Sequence, residues 1–229
     1  MKKFEFGIDW RFCPECQKIQ RSLLEFPEDH PINEWETCVH DYRQNSAKAV
    51  LENQAKELAE MGINPYKVRT YQSPRELEAF LSIAYHFGGD IETAVEIGSF
   101  HGGTISRIAQ FFAPELQTAI SIDRTFDFWF ADDLDCIKIT GESTAKETID
   151  HLKNALNGKK IDLLFIDGDH SYAGEMADYK NYSPFVRDGG IIALHDTHSI
   201  IDVGRVFAEI PGKVKIDIFS YQGIGLVVK

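Results

Sequence analysis

Asp167, Asp169 and His170 fall within four residues of one another at the end of an apolar run, in the stretch IDLLFIDGDHSY over residues 161–172. A second acidic strand end, Asp196, follows GIIALH and is flanked by His195 and His198. Carboxylates from two neighbouring strand ends can hold a hard divalent cation, and an imidazole beside them can take a proton from a hydroxyl. Histidine titrates in the range such a base needs. The plain alternative is that Asp167 caps a helix or closes a turn, which the neighbouring Gly168 favours. His195, inside an apolar strand end, equally suits a hydrogen-bonded core histidine.

A second stretch could bind a ligand through its backbone. Glu96-Ile97-Gly98-Ser99-Phe100-His101-Gly102-Gly103-Thr104 follows a short apolar run and opens a helical pattern near Thr104. Glycines let N–H groups approach a ligand, and the helix start adds a partial positive charge. A triphosphate-binding loop needs a lysine before the threonine, but Thr104 follows Gly103 directly. A dinucleotide fingerprint needs a second glycine where Phe100 stands. Both classes fit badly.

The elements that must position these loops alternate in type. Apolar runs TAVEIG, TAISID, DCIKIT, DLLFID and GIIALHD are separated by helical stretches near GTISRIAQFF, TAKETIDHLKNAL and AGEMADYKNYSPFV. Another helix is expected at DVGRVFAEI, and the chain closes with KVKIDIF, the turn SYQG and IGLVVK, which reads as a hairpin. Crossover connections of this kind predict an α/β doubly wound, mostly parallel seven-stranded sheet, with the hairpin making an edge strand antiparallel. A helix is expected from Ser73, with Ser73 as N-cap, Pro74 at the first helical position and Glu76 completing a capping box.

The pattern [DE]-x-G-x-x-x-G at the end of the first strand, given by Glu96, Gly98 and Gly102, resembles the first motif of the class I S-adenosylmethionine-dependent methyltransferases. The resemblance covers roughly residues 73–229 and continues strand by strand. It implies cofactor contacts from Glu96, Gly98, Ser99, Gly102, Gly103 and Thr104 in the first loop, and from Asp123 to the ribose hydroxyls. It also implies adenine contacts from Gly141, Glu142 and Ser143, with Asp167 closing the fourth strand. Within the class, residues 161–198 most resemble O-methyltransferases acting on small-molecule or sugar hydroxyls, including cephalosporin-hydroxylase-like, macrolide-sugar and catechol-type proteins. Many of these hold Mg²⁺. Carried over, Asp167 and Asp196 become ligand candidates, with Thr197 where the catechol enzymes have an asparagine ligand. His170 falls where those enzymes place a lysine base, so it is expected to act as general base, with Asp169 as a further ligand or the group that orients it. His195 and His198 could replace the third ligand, at the cost of favouring a softer metal.

Residues 1–72 differ from this domain and read as an extension. Cys13-Pro14-Glu15-Cys16 has the form of a zinc knuckle, with Cys38 and His40 nearest to completing a tetrahedral site; unmetallated cysteines are the alternative. A helix is expected over Asn45–Glu60, and Trp10, Trp35, Tyr42, Tyr66 and Tyr71 could line a substrate lid. Among 229 residues the net charge is −12, which argues against a nucleic-acid partner. No apolar run is long enough for a membrane span and the N-terminus lacks a signal-peptide core, so a cytoplasmic enzyme with a small-molecule substrate is expected. Self-association is left open. A metal-independent methyltransferase and a non-catalytic cofactor-binding module of a biosynthetic complex are the competing readings.

Overall fold

The computed structural model describes residues 70–72, 74–127, 129, 131 and 134–229. The cysteine and histidine group Cys13, Cys16, Cys38 and His40, the helix over 45–60, Trp10, Trp35, Tyr42, Tyr66 and the Ser73 cap lie outside the described residues. So does the extension over 1–72 apart from its last three residues.

Five short strands carry the site. β1 (Thr93–Ile97), β2 (Thr118–Asp123), β3 (Ile137–Thr140), β4 (Ile161–Ile166) and β5 (Val186–His195) run parallel. β1 and β4 are almost wholly buried, as expected for parallel strands covered by helices on both faces. The edge strand β3 leaves three of its four residues exposed. Alternation decides which helix each side chain meets. Ala94, Leu163, Phe165 and Ile191 join the core beneath α1 (Pro74–Gly88) and α2 (Gly103–Phe112). Val95, Leu164, Ile166 and Ile192 join the opposite core with α3 (Lys146–Leu156), α4 (Tyr172–Tyr182) and α5 (Ile201–Glu209).

The C-terminal hairpin differs from expectation in one respect. β6 (Val214–Ile218) and β7 (Ile224–Val228) pair antiparallel, but the sheet order is β3-β2-β1-β4-β5-β7-β6. The antiparallel strand is therefore β7, seated between β5 and β6, and the edge belongs to β6. The crossover through α5 leaves a gap one strand wide, and the all-buried IGLVV of β7 fills it. A strand apolar on both faces belongs inside a sheet, not at its rim. Among the described residues no helix is long and apolar enough to cross a membrane.

Candidate active site

The order reverses beside β1, where one neighbour leads to β2 and the other to β4, and loops diverge there to leave a crevice. Backbone bonds carry the ladder past the strand ends. Gly98 N–H donates to Ile122 O (2.9 Å) and Asp167 N–H to Ile97 O (2.9 Å), so the first, second and fourth loops emerge together. Gly98 has φ 80°, and a Cβ there would stand 2.0 Å from Asp167 O. Gly102, φ 78°, caps α2 and lies against the Trp129 ring, which a Cβ would meet at 2.6 Å. Neither place admits a side chain.

Phe100 also takes a positive φ, 42°, unusual for a bulky residue. Its N–H donates to Asp123 Oδ2 over 2.8 Å, which holds it there. Asp123 Oδ1 accepts from Thr125 N–H (3.3 Å), and Asp123 O takes Gly141 N–H (2.8 Å). Asp123 thus ties the glycine loop to the third loop. Glu142 there is exposed, and Ser143 is half-buried with its carbonyl accepting from Tyr182 OH (2.6 Å). Glu96 is sealed beneath the glycine loop at 1% exposure. Burial raises its pKa well above the carboxylate range, only partly offset by Ser99, Thr104 and the Ile105 N–H. Ser99 and Thr104 are likewise buried. In this arrangement Glu96 shapes the loop from below.

The fourth and fifth loops bring Asp167, His170 and Asp196 together, with one ligand atom of each lying within 4.8 Å of the others. His170 Nε2 is 3.1 Å from Asp167 Oδ1 and 3.6 Å from Asp196 Oδ2. The hydrogen bond to Asp167 raises the His170 pKa above its ordinary value, against the opposing effect of partial burial. Asp196 reaches the cluster from a left-handed backbone, φ 63°, and also accepts from the Ser199 hydroxyl. The two carboxylates at the mouth of the parallel strands suit a hard divalent cation that keeps several waters, and the imidazole stands beside them.

His195 lies behind them, 2% exposed. Its Nδ1 is 3.2 Å from Asp167 Oδ1 and 3.3 Å from Asp196 Oδ2, and its Nε2 is 3.9 Å from Glu76 Oε2. Burial opposes charge on this ring, yet the hydrogen bond to Asp167 and the neighbouring carboxylates of Asp196 and Glu76 prevail and push its pKa up to about 12. Burial alone would raise both aspartates; the histidines hold Asp167 low, and His195 and Ser199 hold Asp196 low. The hydrogen-bonded core histidine of the sequence is thus a buried counter-charge. His198, the other substitute ligand considered, is instead paired with Asp217 of β6, whose two oxygens lie 2.8 and 2.7 Å from Nε2.

Two other residues sit apart from the cluster. Asp169 is exposed and accepts from Ser171 N–H at 2.9 Å, beside the N-terminus of α4, while His170 faces Asp167 and Asp196. Thr197 is buried with its hydroxyl at Gly223, 2.6 Å from where a Cβ would be.

Four residues at or beneath the site carried no functional signal in the sequence. Gln72 and Glu76 come from the segment entering α1: Gln72 Nε2 donates to Asp167 Oδ2 (3.3 Å), and Glu76 Oε1 accepts Gly223 N–H (2.9 Å) and the Ser220 hydroxyl. Glu175 and Asp178 are fully buried on α4, and among the described residues none of their carboxyl oxygens has a hydrogen-bond partner. Desolvation, with the charge of Asp178 and then Asp167, Asp169 and Asp196, pushes Glu175 up to about 9. Desolvation lifts Asp178 to about 6.

Residues 95–197, which contain the glycine loop and the cluster, match a family model described as a methyltransferase domain. An uncharacterized protein of Acanthamoeba polyphaga mimivirus is 30% identical across 50% of this chain, and the match spans only 56% of that relative's length. Among solved structures, an O-methyltransferase from Bacillus cereus in complex with SAH has a TM-score of 0.57 at 15% identity, covering 87% of this chain and all of the other (100%). The O-methyltransferase TomG from Streptomyces achromogenes, in complex with SAM, gives 0.53 at 13% identity over 87% of this chain and 98% of its own. The methyltransferase MycE of the mycinamycin pathway, in complex with Mg and SAH, gives 0.52 at 15% identity over 79% of this chain and 54% of its own. At these identities the structures show a shared fold, that of S-adenosylmethionine-dependent methyltransferases, and the methyltransferase-domain model matches the stretch of this chain that holds the glycine loop and the carboxylate cluster.

Proposed function

We propose that the domain transfers the methyl group of S-adenosylmethionine to a hydroxyl of a small molecule, assisted by a divalent cation of the Mg²⁺ type. The observation that carries this reading is the convergence of Asp167, His170 and Asp196 within 4.8 Å at the mouth of the crevice that the glycine loop also borders. The glycine loop takes the methionine part of the cofactor against its backbone, Asp123 receives the ribose diol, and Gly141, Glu142 and Ser143 border the adenine. Asp167 and Asp196 would hold the cation, and Asp169 and Thr197, which sit apart from the cluster, would not reach it. Bound there, such a cation would supply Lewis-acid chemistry, lowering the pKa of the acceptor hydroxyl. His170 takes the hydroxyl proton, and the carboxylates on either side of it stabilise the imidazolium that results. The MycE structure, described with Mg and SAH, supports the pairing of cation and cofactor in this fold.

One observation favours a second reading. His195 already places a positive charge between Asp167 and Asp196, so the two carboxylates are neutralised in part without any metal. In that reading His170 acts on the acceptor alone. Methyl transfer from radiolabelled S-adenosylmethionine across a panel of catechols, phenols and sugars, with Mg²⁺ or with EDTA, separates the two. Turnover that collapses in EDTA and returns with Mg²⁺ supports the first; turnover indifferent to EDTA supports the second. S-adenosylhomocysteine binding without methyl transfer to any acceptor would leave only a cofactor-binding module.

A further inference from the structure

Gln72 lies outside the stretch that matches the family model, yet its side chain, 4% exposed, reaches both halves of the site. Thr104 Oγ1 donates to Gln72 Oε1 over 2.7 Å, and Gln72 Nε2 donates to Asp167 Oδ2 over 3.3 Å. The order of this chain is dictated by chemistry. A carboxylate only accepts, so the amide must offer its NH₂ to Asp167 and its carbonyl to Thr104. Reversing the amide would set two acceptors against each other. Thr104 is the second residue of α2, at the base of the glycine loop; Asp167 ends β4 and supplies the carboxylate cluster. The other oxygen of Asp167 already faces His170 and His195. Gln72 therefore governs the oxygen that the histidines leave.

The backbone around Gln72 is anchored on either side. The Tyr71 ring centroid is 5.8 Å from that of Phe100 in the glycine loop, and Glu76 binds Gly223 at the β6–β7 turn. A shift of Thr104 or Asp167 is therefore felt first by the Gln72 side chain, which bonds both. We infer that Gln72 is a positioning residue that couples occupancy of the glycine loop to occupancy of the carboxylate cluster, an inference that rests on the proposed roles of those two places. A cofactor product that fixes the first turn of α2 fixes Thr104, hence the amide, hence Asp167. By linkage, a cation on Asp167 strengthens cofactor binding by the same factor.

The test is calorimetric titration of S-adenosylhomocysteine into the full chain, once in EDTA and once in saturating Mn²⁺. The wild-type chain and Thr104→Ser, which keeps the hydroxyl, bind at least about fivefold more tightly in Mn²⁺. Gln72→Leu and Thr104→Val bind with equal affinity in the two conditions, to within about twofold, and thermal melting confirms that both are folded. A merely structural role would weaken binding in both conditions and leave the ratio intact, and that result overturns the coupling. So does a wild-type ratio near one when both ligands bind. If the wild-type chain fails to bind S-adenosylhomocysteine, or fails to bind Mn²⁺, the functional reading fails first and takes the coupling with it.

Discussion

The Phe100 N–H and the Asp123 carboxylate are joined at 2.8 Å, so the residue expected to receive the ribose also holds the glycine loop in its positive-φ turn. Removing the carboxylate costs both functions. Asp123→Ala should weaken S-adenosylhomocysteine binding by about 10- to 100-fold, the worth of charge-assisted hydrogen bonds. Asp123→Asn, which keeps an acceptor, should lose less. Calorimetry on the two variants reads the difference.

Gly98→Ala should destabilise the domain by at least ~2 kcal/mol, because the new methyl would stand 2.0 Å from the Asp167 carbonyl on a backbone at φ 80°. Gly158→Ala is a useful contrast: its φ is also positive, 83°, but nothing lies within 4 Å. It should suffer the backbone strain alone, about 1 kcal/mol. Urea unfolding of the two variants checks the ranking.

His195→Leu should destabilise the chain by roughly 3 kcal/mol, since it leaves Asp167 and Asp196 without their buried counter-charge. The variant should then gain more from Mn²⁺ than the wild-type chain does, because a cation restores what the imidazolium supplied. Thermal melts with and without Mn²⁺ make the comparison.

Glu175 supplies a pH dependence with a definite sign. Its folded-state pKa, about 9, is above the ordinary 4.5, so the folded chain retains a proton that the unfolded chain releases. Stability is full below about pH 4.5 and declines as pH rises through about 9. Glu175→Gln removes that decline and should stabilise the domain by on the order of 2 kcal/mol at pH 8, with little gain at pH 4.5. The groups facing Glu175 are Asp178 on α4, Asp167 and Asp169 in the fourth loop and Asp196 in the fifth. Asp178→Asn should show a smaller gain that is complete by about pH 6 and persists above it, as its own pKa is near 6. Denaturant midpoints between pH 5 and pH 9 test both.

The sheet was legible because each of the five parallel strands ends at or just before a glycine or an aspartate, and because helical stretches separate most of them. Asp167, His170 and Asp196 were legible for the same reason: a polar residue just past an apolar strand must stand at the sheet's carboxyl edge. The place of β7 was not, since a hairpin at a chain end reads equally well as a rim or as an insertion. Gln72 and Glu76 were hidden by distance. Gln72 meets Asp167 across 95 residues of sequence, and Glu76 meets Gly223 across 147. Nothing in a local pattern records such a pairing. The buried stripe Glu175, Asp178 and Tyr182 on α4 was hidden by its chemistry, because acidic residues at helical spacing usually mark a solvated face. His195 was half-legible: its burial followed from the strand, its charge only from the two carboxylates that converge on it.

Binding of Mn²⁺ to the full chain, followed by electron paramagnetic resonance, tests the proposed cation site most directly. The wild-type chain should bind one equivalent saturably, and Asp167→Asn with Asp196→Asn should weaken that binding at least about tenfold while the chain stays folded. A wild-type chain that binds no Mn²⁺, or a double variant that binds it as well as the wild type, would contradict a cation held by Asp167 and Asp196.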